Sequence, residues 1–170
     1  GLYNGGVLRS TDGGSTWVDM GQPLGHVAQI TVNPYTHEAW VTGSGEGFSD
    51  GIYKYSGDNW VGVIYQPIAS ELWNTTRVAF GDNANIIWTA AAGTAWRTLD
   101  GGVNWDDTFD PVGNHAYSVV QDPNNDYVWY LGYAGQGVYR TGDGGANWEA
   151  RNNGLAGVVP KHLAISAYDP

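Results

Sequence analysis

The sequence predicts an all-β fold assembled from repeated units of four antiparallel strands. Three observations carry that prediction. Gly, Trp and Tyr number 26, 9 and 11 in 170 residues while Lys and Arg total 7, a composition foreign to helical bundles. No segment shows helical periodicity, whereas short runs of β-branched and aromatic residues end at Asn, Asp, Pro or Gly. One eight-residue string recurs at a fixed interval, as in repeat architectures.

That string is Ser10-Thr11-Asp12-Gly13-Gly14-Ser15-Thr16-Trp17. It returns as Thr98-Leu99-Asp100-Gly101-Gly102-Val103-Asn104-Trp105 and as Thr141-Gly142-Asp143-Gly144-Gly145-Ala146-Asn147-Trp148. A decayed copy at 55–60 keeps Asp58 and Trp60 but has lost the central Gly pair. The four tryptophans lie 43, 45 and 43 residues apart, which defines a period.

Each unit reads in the same order. A first strand is written in 26–34, 76–83, 115–123 and 162–170, each run ending in a turn rich in Asn, Asp, Pro or Gly. A second, aromatic strand follows in 38–43, 86–91 and 127–132, with Trp40, Trp88 and Trp129 recurring there. The third strand carries an apolar or aromatic residue and then a base: Leu8-Arg9, Tyr53-Lys54, Trp96-Arg97 and Tyr139-Arg140. The repeated string turns the chain into the fourth strand. Four short strands per 40 to 50 residues make the blade of a β-propeller. The units are expected at about 1–20 (partial), 21–62, 63–107, 108–150 and 151–170 (partial). That is about four blades' worth, a window from a larger propeller of six to eight blades, with a closed four-bladed ring as the alternative.

The string [Ser/Thr]-x-Asp-x-Gly-x-x-Trp resembles the Asp-box, or bacterial neuraminidase repeat, over essentially the whole chain. Propellers with this box include sialidases, xyloglucan hydrolases, sortilin-like receptors, a photosystem II assembly factor and many secreted bacterial proteins, so the resemblance implies a fold more than a function. The residues agree with it. The Gly pair supplies the positive φ of a tight hairpin. The Ser or Thr hydroxyl and the Asp carboxylate accept N–H groups that the turn leaves unpaired. Each Trp buries about 150 to 250 Å² against a neighbouring blade, an upper bound of about 4 to 6 kcal/mol at 25 cal/mol per Å². Ser10, Asp12, Gly14, Trp17, Asp58, Trp60, Thr98, Asp100, Gly102, Trp105, Thr141, Asp143, Gly145 and Trp148 are therefore read as structural.

The resemblance also implies which face carries ligands: the one formed by the loops entering first strands and joining second to third strands. Those are 42–51, 65–76, 106–115 and 152–162. Trp73 is the one tryptophan outside the repeat, which makes it a candidate for stacking on a sugar ring, with Phe48 as a second aromatic; the alternative is that Trp73 caps a blade edge. Glu46, Asp50 and Glu71 are carboxylates that no repeat position explains, and a pair of them could act as acid and base across about 5 to 10 Å. His26, His115 and His162 open three first strands near the channel mouth, where imidazoles can bind ligand or converge on a metal ion; hydrogen bonding to neighbouring loops at a repeated position is the favoured reading. No metal or cofactor is expected.

Charge and composition narrow the classes. A net charge of −10 repels a polyphosphate backbone, so nucleic acid is not an expected partner. No apolar run is long enough for a helical membrane span, and the absence of Cys removes thiolate chemistry. Of the seven bases, four occupy the repeated third-strand position and only Arg77 and Arg151 remain as arginines outside it. Sialidases hold a carboxylate with three arginines and carry an Arg-Ile-Pro motif, so sialidase activity is not expected. Xyloglucan hydrolases place one catalytic aspartate on each of two tandem propellers, so this length could hold one at most. The expected function is that of a non-catalytic extracellular or cell-surface module that binds polysaccharide or protein, or builds a surface assembly; the alternative is a segment of a glycoside hydrolase. Its other expected partners are the remaining blades, in the same or another chain.

Overall fold

The computed structural model of the chain describes residues 6–45, 48–65, 77–91, 94–106, 115–155 and 157–168. Thirteen strands and no helix occur among these residues. β1 (Leu8–Arg9) and β2 (Val18–Asp19) form a two-stranded sheet. β3 (His26–Val32), β4 (Ala39–Gly45), β5 (Phe48–Ser56) and β6 (Asn59–Tyr65) form a four-stranded meander. β7 (Arg77–Phe80), β8 (Ile87–Ala91) and β9 (Thr94–Thr98) form the next, with a single bridge between Arg97 and Asp106 in the fourth position. β10 (Ala116–Asp122), β11 (Asn125–Tyr133), β12 (Gly137–Thr141) and β13 (Glu149–Ala150) complete the series. Every ladder is antiparallel and joins neighbours in sequence, as short polar turns demand.

The first-to-second turns are built alike. Asn33 Oδ1 accepts from the N–H groups of Tyr35 (2.9 Å) and Thr36 (3.2 Å), and Asn83 Oδ1 from those of Asn85 (2.9 Å) and Ile86 (3.3 Å). Asp122 Oδ1 accepts from Asn124 N–H at 2.9 Å. A short side chain that mimics a backbone turn is why Asn and Asp punctuate these positions.

Apolar burial lies between sheets. Val7, Leu24 and Val41 join the first sheet to the second, with Met20, Tyr53 and Trp60 packed on them. Trp40, Ile52, Val78 and Ile87 join the second to the third, with Phe80 and Trp105. Trp88, Ala90, Ala116, Val119, Trp129, Leu131 and Tyr133 join the third to the fourth, with Trp148. A sheet with both faces covered needs apolar residues on both, which accounts for the aromatic density of the second strands.

Three places differ from the sequence expectation. Residues 42–51, expected as a loop, belong mostly to β4 and β5, which stay paired out to Gly45 and Phe48. Trp129 does not occupy the position of Trp40 and Trp88. Those two pair with Lys54 and Arg97, but Arg140 pairs with Tyr130. The one-residue offset turns Trp129 to the opposite face, where it packs on Trp88 with ring centroids 5.7 Å apart. The segment 162–168, expected as a first strand, has no ladder partner among the described residues. Over 162–166 it keeps the alternating burial of β3, and the chain here lies on the fourth sheet, with Pro160 O accepting from Ser118 Oγ (2.8 Å) and Ala167 O from Asn124 Nδ2 (3.2 Å).

Candidate functional site

The repeated turns show what their polar residues do. Thr98 Oγ1 donates to Asp100 Oδ1 (2.7 Å) and accepts from Gly102 N–H (3.0 Å). Asp100 Oδ1 accepts from Asn104 N–H (2.9 Å) and its Oδ2 from Asn104 Nδ2 (2.8 Å). Thr141, Asp143, Gly145 and Asn147 repeat this network. Ser10, Asp12, Gly14 and Thr16 repeat it with the Thr16 hydroxyl in place of the amide. Both carboxylate oxygens are thus engaged. The Thr16 hydroxyl, then its N–H and the Ser10 hydroxyl, lower Asp12 from 3.8 to about 2. Asn104 N–H, the Asn104 amide and Thr98 do the same for Asp100, and the Asn147 amide, Asn147 N–H and Thr141 for Asp143. A carboxylate held ionised by donors within its own turn is a poor proton donor near neutrality.

The sequence reading missed the residue before each Trp as the second clamp on the carboxylate, although Thr16, Asn104 and Asn147 recur there. The turn at 56–59 is of another kind. Ser56 pairs with Asn59, and Gly57 and Asp58 both take positive φ, 59° and 64°. Asp58 forms the bend of a two-residue hairpin instead of accepting hydrogen bonds within a longer turn. Trp60 still packs on the preceding sheet and donates Nε1 to Met20 O at 2.8 Å.

These pKa values give a signed expectation. A folded-state value below the unfolded one contributes stability above about pH 4, and that contribution is lost as pH falls toward 2. In a carboxyl ¹³C titration, Asp12, Asp100 and Asp143 should titrate near 2, and Asn104→Ala should move Asp100 toward 3.8 with little effect on the other two. Titration of wild-type Asp100 at 3.8 would refute the clamp.

On the opposite end of the blades stand the first-strand openings. His26 opens β3 and is exposed, and His115 precedes β10 and is half-buried. Arg77 opens β7, and its Nη2 lies 2.8 Å from Nδ1 and 3.3 Å from Nε2 of His162. Proximity to both ring nitrogens places the guanidinium across the ring instead of along one lone pair. This pairing, 85 residues apart, brings one expected site histidine to an arginine that the repeat leaves over. Among the described residues, no three His, Asp or Glu side chains gather at metal-binding distance.

Glu46, Glu71 and Trp73 lie outside the described residues. Phe48 and Asp50 lie on β5 by their backbone, and their side chains fall outside the description. Elsewhere the bases meet acids at the rim: Lys54 with Glu38 (3.9 Å), Arg97 with Asp106 (3.5 Å), and Arg140 (3.5 Å) and Arg151 with Glu149. Partly exposed surface pairs of this kind contribute about 0 to 1 kcal/mol each.

Lys54 and Arg97 also face the second-strand indoles of their own sheets, 5.7 Å from the Trp40 and 5.4 Å from the Trp88 centroid. Arg97 Nη1 reaches into the next sheet's turn and donates to Gly144 O at 2.7 Å. Arg97 is therefore a junction residue, stacked on one blade and hydrogen-bonded to the next.

No family model matches the chain. A Paenibacillus sp. xyloglucanase is 27% identical over 191 residues, covering 96% of this chain and 15% of that protein. Among solved structures, a Niastella koreensis GH74 enzyme superposes with a TM-score of 0.66 at 21% identity, over 86% of this chain and 26% of that one. YCF48 bound to D1 peptide superposes at 0.63 and 16% identity, over 89% and 48%. The chain thus spans less than half the length of each of these three proteins. Likeness at these identities concerns architecture, and with the meander sheets and cores between them it establishes that the chain forms consecutive blades of a β-propeller.

Proposed function

We propose that the chain is a stretch of an Asp-box propeller that acts outside the cell as a non-catalytic carbohydrate-binding module. One observation carries the reading. The aspartates that recur most conspicuously are clamped by Ser, Thr or Asn within their own turns, and two of the recurring bases, Lys54 and Arg97, face indoles of their own sheets. Chemistry left for a ligand therefore belongs to Trp73 and Phe48 as stacking surfaces and to the first-strand openings at His26, His115 and His162. The xyloglucanase relative supports a neutral plant-type glucan as the ligand class, which an aromatic platform suits better than a charged one.

Affinity electrophoresis in xyloglucan and mixed-linkage β-glucan should retard the protein. Trp73→Ala should weaken retention about tenfold, the scale of one aromatic anchor of about 1.4 kcal/mol. Unretarded migration in all glucans would sink the proposal. The second reading, a segment of a glycoside hydrolase, is favoured by that relative alone. It predicts reducing-end release that Glu46→Gln, Asp50→Asn or Glu71→Gln abolishes.

A further inference from the structure

The described bases are of two kinds. Lys54, Arg97, Arg140 and Arg151 each lie against a carboxylate. Arg77 meets none among the described residues. Its Nη2 crosses the His162 ring at 2.8 and 3.3 Å, and its Nε and Nη1 have no partner among the described residues. An arginine carries five N–H donors and no acceptor, so most of the hydrogen-bonding capacity of Arg77 is open.

The strands beneath hold this pair in place. Gln29 Oε1 accepts from Val78 N–H at 2.9 Å, which ties the residue after Arg77 to β3. Ser118 Oγ donates to Pro160 O at 2.8 Å, which ties the segment leading to His162 to β10. β10 also lies beside β7. Arg77 therefore reaches past the opening of β10 to meet His162 on its far side.

Neither group neutralises the other. A neutral imidazole has no charge to offset the guanidinium, and an imidazolium repels it. Lys161, next in sequence to His162, adds a base that also lacks a carboxylate partner among the described residues. An excess of positive charge thus gathers at one place on a chain of net charge −10. That contrast defines the ligand. A guanidinium fork matches a planar carboxylate and binds it more strongly than a neutral hydroxyl. The negative charge of the whole chain opposes a densely anionic polymer, so the carboxylate must be sparse on an uncharged carrier.

We infer that Arg77, backed by His162, binds the carboxylate of a hexuronic acid set singly on an otherwise neutral glycan. This rests on the glycan-binding reading above and adds a charged subsite to it. Arg77 donates to the carboxylate, the His162 ring orients the guanidinium, and the neutral sugars are left to the aromatic residues.

Isothermal titration calorimetry tests this with xylotriose bearing a glucuronic acid, the methyl ester of that compound, and xylotriose itself. The acid should bind at least about tenfold more tightly than the ester or the parent, a margin that rising salt narrows. Arg77→Gln should abolish the margin, and Arg9→Gln, at a base on β1, should leave it. The ester comparison uses the unaltered protein, so it decides the matter even if Arg77→Gln impairs folding. Equal binding of acid and ester, a margin that survives Arg77→Gln, or no binding of the acid overturns the inference. Retention in neutral glucans without an acid margin would sink this inference and leave the binding reading standing. An acid margin without retention in neutral glucans would do the reverse.

Discussion

Gly145→Ala is expected to destabilise the protein by about 2 to 5 kcal/mol, while Gly14→Ala at the same repeat position should cost only about 1 to 2 kcal/mol. Both glycines have left-handed φ, 97° and 92°, where a Cβ costs about 1 to 2 kcal/mol. They differ in what lies above. A methyl group on Gly145 enters the Trp88 indole, and forced overpacking adds about 1 to 3 kcal/mol. A methyl group on Gly14 meets its own Trp17 at an ordinary 3.8 Å. Urea denaturation of the two variants measures the difference. Equal losses would mean that the Gly pair is required for its backbone conformation alone.

Trp88→Ala should cost about 3 to 5 kcal/mol, the usual range for deleting a buried indole. Trp88 is 2% exposed and lies against Trp129, Trp148, the Arg97 guanidinium and Gly145. The more telling measurement is the double variant. Once the indole is gone, a methyl group on Gly145 has room, so Gly145→Ala should fall to its backbone cost of about 1 to 2 kcal/mol. The pair should therefore fall short of the sum of the single effects by about 1 to 3 kcal/mol. Strict additivity would show that the two residues do not share the junction.

The legible part of the fold was the part written in periodic residues. Trp17, Trp60, Trp105 and Trp148 gave the blade spacing, and Gly-Gly pairs gave the hairpins, because few other residues tolerate two successive positive φ angles. Trp129 lies on its second strand as expected, but the face it takes was not legible, because Tyr127, Trp129 and Tyr130 crowd one strand, where composition cannot distinguish one face from the other and register alone decides. Asp58 kept the repeat's residue types but not its geometry, since a hairpin with two fewer residues leaves no N–H groups for the carboxylate to collect. Arg77 and His162 could not be matched by spacing, being brought together only by the stacking of blades. Glu46, Glu71 and Trp73 stood out because the repeat does not explain them, and a residue without a repeat position has no neighbours that the sequence can name.

The three apolar clusters each join only two adjacent sheets, so among the described residues there is no centre on which all blades depend. Cohesion passes along the chain from one neighbour to the next. A whole unit can be duplicated or lost in a gene without disturbing the junctions elsewhere, provided the new neighbours match ring to glycine. Lineages carrying this architecture are thus free to change blade number by recombination, with the wording of a single junction as the rule that every addition must obey.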